Sequence, residues 1–126
     1  MAALTRDAIL AGATPHVNEV LVPEWGGSVY VRGITGTQRD QWDDRMYRIR
    51  EGKGTSLLRG TVAAWCICDA DGKRVFNDAD AGTLGNQDGA ALDRIYDVAL
   101  RLSGLGDAEV EGAGKNSDNG QSDASG

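Results

Sequence analysis

The sequence predicts a small α+β domain, mostly helical, with one N-terminal β-hairpin and a disordered acidic C-terminal tail. Three observations carry this. Two valine-rich runs flank the glycine pair in "VPEWGGSVYVR", from Val22 to Arg32. Three later segments repeat apolar residues at helical spacing. Composition then changes abruptly, so that residues 1–105 read as the folded domain and 106–126 as the tail.

The first element is a short helix in "LTRDAILAG", where Thr5 can cap the start and Gly12 stop it. Thr14-Pro15 breaks the chain before "HVNEVLVPEW". In that strand Val20 and Val22 share one face and Leu21 takes the other, and Pro23 ends the run because it cannot donate to a ladder. Gly26-Gly27 can supply the positive φ angles of a tight turn. The return strand "SVYVR" puts Val29 and Val31 on one face and Tyr30 and Arg32 on the other. Trp25 sits at the turn, either folded back as an apolar lid or exposed as an anchor for a partner. The hairpin is thus expected over about Val17–Arg32.

The next segment opens with Thr35 and Gln38 at capping-box spacing, preceded by apolar Ile34. A helix near Gln38–Arg50 follows, with Trp42, Met46 and Ile49 as its apolar stripe and Asp44 before Arg48 in the favourable order for an ion pair. Its arginines can be a patch for an acidic partner or, interleaved with acids, a solvated face. Gly52 and Gly54 end it. "SLLRGTVAAWCICD" is the most apolar stretch. Leu58, Val62 and Trp65 share one side of a helix over Leu57–Cys68, and Leu57, Ala64 and Cys68 another, as expected of the central helix. Asp71-Gly72 reads as a turn between "CICDA" and "KRVF", and Asn77 or Asp78 caps a short helix around "DADAGTL". The last helix, near Ala90–Leu102, carries the stripe Leu92, Ile95, Tyr96, Ala99, Leu102 and ends at Gly104. Trp42, Val62, Trp65, Ile95 and Tyr96 are the expected core. The tail has no aromatic residue, and its five acids and one lysine give it −4 of the chain's −6. It lacks the apolar surface to offset its ordering entropy.

With 13 basic against 19 acidic residues, the surface repels phosphate, which argues against nucleic acid as a partner. No apolar run is long enough to span a membrane, and "MAALTRDAIL" has no secretory pattern. Cys66 and Cys68, two apart, point to different sides of a helix, and the lone His16 is far from them in sequence. They read as small buried apolar groups rather than a disulfide or a metal site. The acids of "DADGKRVFNDAD" suggest a calcium loop. Setting Gly72 at its sixth position puts Ile67 at the first, which cannot ligate, so calcium is rejected. "GKGTS", from Gly52 to Ser56, lacks the first glycine and preceding strand of a phosphate loop. No catalytic set has workable spacing: no catalytic or metal-binding residue and no cofactor is expected, and a binding or assembly protein is preferred to an enzyme.

The order of these signals resembles the tail assembly chaperones of long-tailed, siphovirus-type phages and prophages. It covers roughly Leu4 to Ser117 and is most specific at Val22–Gly27, Arg32–Arg39 and Asp69–Phe76, none of which is catalytic. The resemblance implies a protein that binds the helical, aggregation-prone tape measure protein during tail assembly, keeps it soluble and helps recruit tail tube (major tail) subunits. It would act in the host cell cytoplasm and be absent from the finished virion. Trp25, Tyr30 and Arg32 are the candidate partner-binding residues. The alternative is a small virion structural protein, a head–tail connector or minor tail subunit.

Such chaperones are commonly made in a short form and a form extended by ribosomal frameshifting, which adds the extended form as a possible partner. "AGKNS", from Ala113 to Ser117, permits a −1 slip in two ways. Lys115 as AAA with Asn116 as AAC or AAT works if the Gly114 codon ends in A. Gly114 as GGA or GGG with Lys115 works if the Ala113 codon ends in G. A slip there would make the chain in hand the short product. Composition by itself makes Lys-Asn an ordinary pair in a polar tail.

Overall fold

The computed structural model describes residues 2–12, 15–53 and 57–105. In chain order its elements are α1 (Arg6–Ala11), β1 (Val17–Val22), β2 (Gly27–Arg32), α2 (Gly36–Arg50), α3 (Leu58–Cys66), β3 (Ile67–Cys68), α4 (Ala81–Leu84) and α5 (Gly89–Leu102). A single 3-10 turn spans Pro23–Trp25 and another Asp78–Asp80.

The hairpin forms as its valines require. β1 and β2 pair antiparallel from Val17 opposite Arg32 to Val22 opposite Gly27. Pro23 presets the turn, and Gly26 closes it at φ 74° with its N–H donating to the Pro23 carbonyl at 3.0 Å. Gly27, expected to share the positive φ, instead begins β2. Val22 and Val31 are fully buried on the core side of the ladder.

The expected helix over Leu57–Cys68 is shorter than the apolar run. It stops at Cys66, and Ile67 and Cys68 turn extended to add a third strand, giving the order β1-β2-β3. Cys68 faces Tyr30 and Ile67 faces Val31. The free edge of β2 offers backbone partners that a helix end cannot, and β-branched Ile67 suits a pleat. The turn at Asp71-Gly72 is where the sequence places it. Asp69 N–H donates to the Lys73 carbonyl at 2.9 Å, and Gly72 takes φ 86°.

α3 is the central helix, with every residue from Gly60 to Cys66 buried. Val62, Trp65 and Cys66 pack with Val31, Leu84, Leu92, Ile95 and Ala99. α4 crosses so close that a Cβ on Gly60 would stand 2.2 Å from the Ala81 carbonyl oxygen. α5 buries Ala91, Leu92, Ile95, Ala99 and Leu100. Its start is capped by Asp88, which accepts from Ala91 N–H at 3.1 Å. Ser103 Oγ accepts from Ile34 N–H at 2.8 Å, tying the end of α5 to the entry of α2.

Two expected core residues lie at the margin instead. Tyr96 is half-buried, its ring 5.2 Å under the Arg59 guanidinium, and Arg59 also pairs with Asp93. Trp42 is half-buried against the core, because α2 meets the body through its first turns. The Thr35–Gln38 capping box is formed as expected, with Gln38 buried. Further along, Tyr47 and Ile49 are exposed, so the expected stripe runs off the body. Leu57, expected on a packed face, is also exposed. α1 forms with its Thr5 cap. Gly54, the tail 106–126 and the Ala113–Ser117 segment lie outside the described residues.

Candidate partner-binding surface

The hairpin turn is held in place by chemistry at each of its positions. Pro23 and Gly26 shape it, and Glu24 is gripped by Arg94 of α5. The guanidinium makes three contacts, Nε to Oε1 at 2.9 Å and to Oε2 at 3.2 Å, and Nη2 to Oε2 at 3.1 Å. The hydrogen bonds from Arg94, helped by one from its own backbone, lower the Glu24 pKa, and the same pair raises that of Arg94. A two-point pair fixes direction as well as distance. It aims the next residue, Trp25, onto the body, where its indole packs half-buried against the core. Trp25 is thus packed over the core and remains partly accessible.

The lid is incomplete. Between Trp25 and the segment from Phe76 to Gln87 runs an open groove of about 330 Å³. Trp25, Phe76 and Leu84 make its apolar lining, and Asp80, Thr83 and Gln87 its polar part. Phe76 is placed by the turn that follows, where the Asp80 carboxylate accepts from Asn77 N–H at 2.9 Å. Leu84 is buried and Thr83 and Gln87 are exposed. Of the three residues expected from the sequence to bind a partner, Trp25 lines this groove and Tyr30 and Arg32 do not. The groove's sequence signal was Phe76 and Leu84 bracketing a capped short helix, which has meaning only once the hairpin turn lies across it.

Tyr30 and Arg32 are elsewhere. They lie on the sheet face opposite Val31, so the three candidate residues do not form one surface. Tyr30 is partly exposed there beside Glu19, whose carboxylate accepts from Ser28 Oγ at 2.6 Å, and Leu21 on the same face is 67% exposed. Arg32 is half-buried and donates to the Gly72 carbonyl at 3.1 Å, so its guanidinium braces the Asp71-Gly72 turn.

Two further polar clusters have partners within the fold. Asp69 Oδ1 accepts from the N–H groups of Asp71 and Lys73 at 2.9 and 3.0 Å, which turns the acidic loop inward on itself. Among the described residues no three His, Cys, Asp or Glu side chains gather as a metal would need. On α2, Arg39 pairs with Asp43 and Arg48 with Asp44, the solvated-face alternative. Cys66 and Cys68 are free and buried, and burial pushes the Cys66 thiol up to about 12.

No protein-family model matches the chain, and no curated protein matches it significantly. A solved structure does: the bacteriophage HK97 tail assembly chaperone, at TM-score 0.55 over 81% of this chain and 86% of that one. This chain is similar in fold to a phage tail assembly chaperone. Identity is 22%, so the likeness is one of fold.

Proposed function

We propose that this protein is a phage tail assembly chaperone. It binds the tape measure protein in the host cytoplasm, keeps it soluble while the tail is built, and helps recruit tail tube subunits. It leaves before the virion is complete. The observation that carries this reading is the apolar groove under Trp25, on a fold similar to that of the HK97 chaperone. A tape measure protein presents long apolar helix faces, which associate unless covered. A groove with apolar walls and a polar margin takes the apolar side of such a helix. The exposed sheet face with Leu21 and Tyr30 offers a second contact, and Arg32 holds that face in shape.

Co-expression with the tape measure protein tests this. The intact chaperone is expected to keep the tape measure protein in the soluble fraction and to co-purify with it. Trp25→Ala, or Gln87→Arg at the exposed margin, is expected to lose both. If both variants keep the tape measure protein soluble, the groove is not the site. Finding the protein in purified virions would favour a structural subunit instead.

A further inference from the structure

A cleft of about 280 Å³ lies between α2 and the α3–α4 layer. Gln41 and Arg45 line it from α2, Thr61 and Trp65 from α3, and Ala81 and Gly82 from α4. It is distinct from the Trp25 groove, which takes Asp80, Thr83 and Leu84 from the α4 region instead.

Two polar groups on this lining lack partners. Arg45 is half-buried, and among the described residues its guanidinium makes no hydrogen bond or ion pair. Arg39 and Arg48 of the same helix pair with Asp43 and Asp44. The other charge on the lining, Asp78, is held by Arg74 at 2.8 Å. Asp40 shares a neighbouring opening with Arg45 and is exposed to solvent. The cleft thus keeps an uncompensated positive charge in a chain of net charge −6. Thr61 is 5% exposed, and its hydroxyl is buried without a hydrogen-bond partner. A threonine inside a helix can return its hydroxyl to the carbonyl four residues back. Here the Leu57 carbonyl takes the Thr61 N–H at 2.9 Å, and the hydroxyl is left over. A buried polar group in this state is rare and costly. An oxygen-bearing ligand in the cleft supplies what it lacks.

The charge selects a carboxylate. One guanidinium matches a planar carboxylate in shape and balances its charge, whereas a phosphate group brings about −1.5 to −2. The rest of the lining is apolar, with Trp65 and Ala81 inside and Leu57, 46% exposed, beside them. One small cleft therefore asks for an anion and an aliphatic group together. Aspartate and glutamate side chains bring the anion without an aliphatic branch, and an internal leucine brings the branch without a charge. The last residue of a chain, when aliphatic, carries both on one carbon.

We propose that this cleft binds the C-terminal residue of a partner chain, its carboxylate on Arg45 and Thr61 and its aliphatic side chain against Trp65, Ala81 and Leu57. The site is separate from the Trp25 groove and does not rest on the function proposed above.

Titration of the isotope-labelled full chain with the peptide acetyl-Ala-Ala-Leu, followed by NMR, tests it. The free-acid peptide is expected to move the amide resonances of Arg45, Thr61 and Gly82 saturably. Its amidated form, and acetyl-Ala-Ala-Gly as the free acid, are each expected to bind about tenfold more weakly, since one loses the charge-assisted hydrogen bonds and the other the buried aliphatic group. Arg45→Gln is expected to lower the affinity for the free acid to that for the amide. Gly82→Leu is expected to abolish binding by filling the cleft, where a Cβ on Gly82 meets nothing within 4 Å. Arg45 has no partner to lose and Gly82 is exposed, so the fold is retained, which circular dichroism verifies. The absence of saturable shifts with the free acid, equal binding of the amide, or unchanged affinity in Arg45→Gln overturns the proposal. So does equally tight binding of amidated acetyl-Ala-Leu-Glu, which would make the partner an internal acidic segment rather than a chain end.

Discussion

Arg94 of α5 holds Glu24 of the hairpin turn in a two-point ion pair, joining residues 70 apart in sequence. The pair is on the surface, and its consequence is orientation: it fixes the turn that carries Trp25 to the helix beneath it. The carboxylate is favoured in the folded state, so its pKa is lowered there. The stabilisation is therefore fully present above the unfolded-state value of about 4.3. It is lost as pH falls from there through the lowered folded value. Acid titration followed by tryptophan fluorescence is expected to show a transition in this range that Glu24→Gln weakens. An unchanged acid limb would mean that the pair does not hold the turn.

Gly60→Ala is expected to destabilise the domain by about 1–3 kcal/mol. The added methyl would meet the Ala81 carbonyl oxygen at 2.2 Å, a backbone atom that cannot rotate away. Helix propensity alone predicts the opposite sign, since alanine is favoured over glycine by about 1 kcal/mol in a helix interior. Thermal or urea unfolding separates the two: a stabilised variant would show that α4 gives way.

Trp65→Ala is expected to cost about 3–5 kcal/mol. Its side chain is 2% exposed at the centre of the core. A loss below 1 kcal/mol in the same unfolding assay would contradict the central place of α3.

Cys66 is expected to resist alkylation by iodoacetamide in the native protein near neutral pH. The residue is fully buried, and its thiol is pushed up to about 12, so the reactive thiolate is scarce. Labelling should appear in step with unfolding by urea. Rapid modification of Cys66 in native buffer, read by mass spectrometry, would reveal frequent local opening of α3.

Deleting residues 106–126 is expected to change the melting temperature by no more than a degree or two, because their composition offers almost no apolar surface. A fall of many degrees would show that the segment docks on the domain.

The sequence by itself determined the elements whose causes are local. The Thr35–Gln38 box starts α2, the Leu92–Ile95–Ala99 stripe marks the buried side of α5, and Gly26 closes the hairpin. Each depends on neighbours within a turn or two, so spacing and residue type suffice. Tertiary structure alone decided the rest. It ended α3 at Cys66, because the edge of β2 competes with the helix for Ile67 and Cys68. It carried Ile49 off the body and left α1 bare, because periodicity names an apolar side without saying that anything covers it. It placed Trp25 over Phe76 and Leu84 and turned Tyr30 and Arg32 to another face, because a groove is made of residues from separate elements. The Arg94–Glu24 pair belongs here too: no local pattern marks two charges 70 residues apart as partners until packing brings them together.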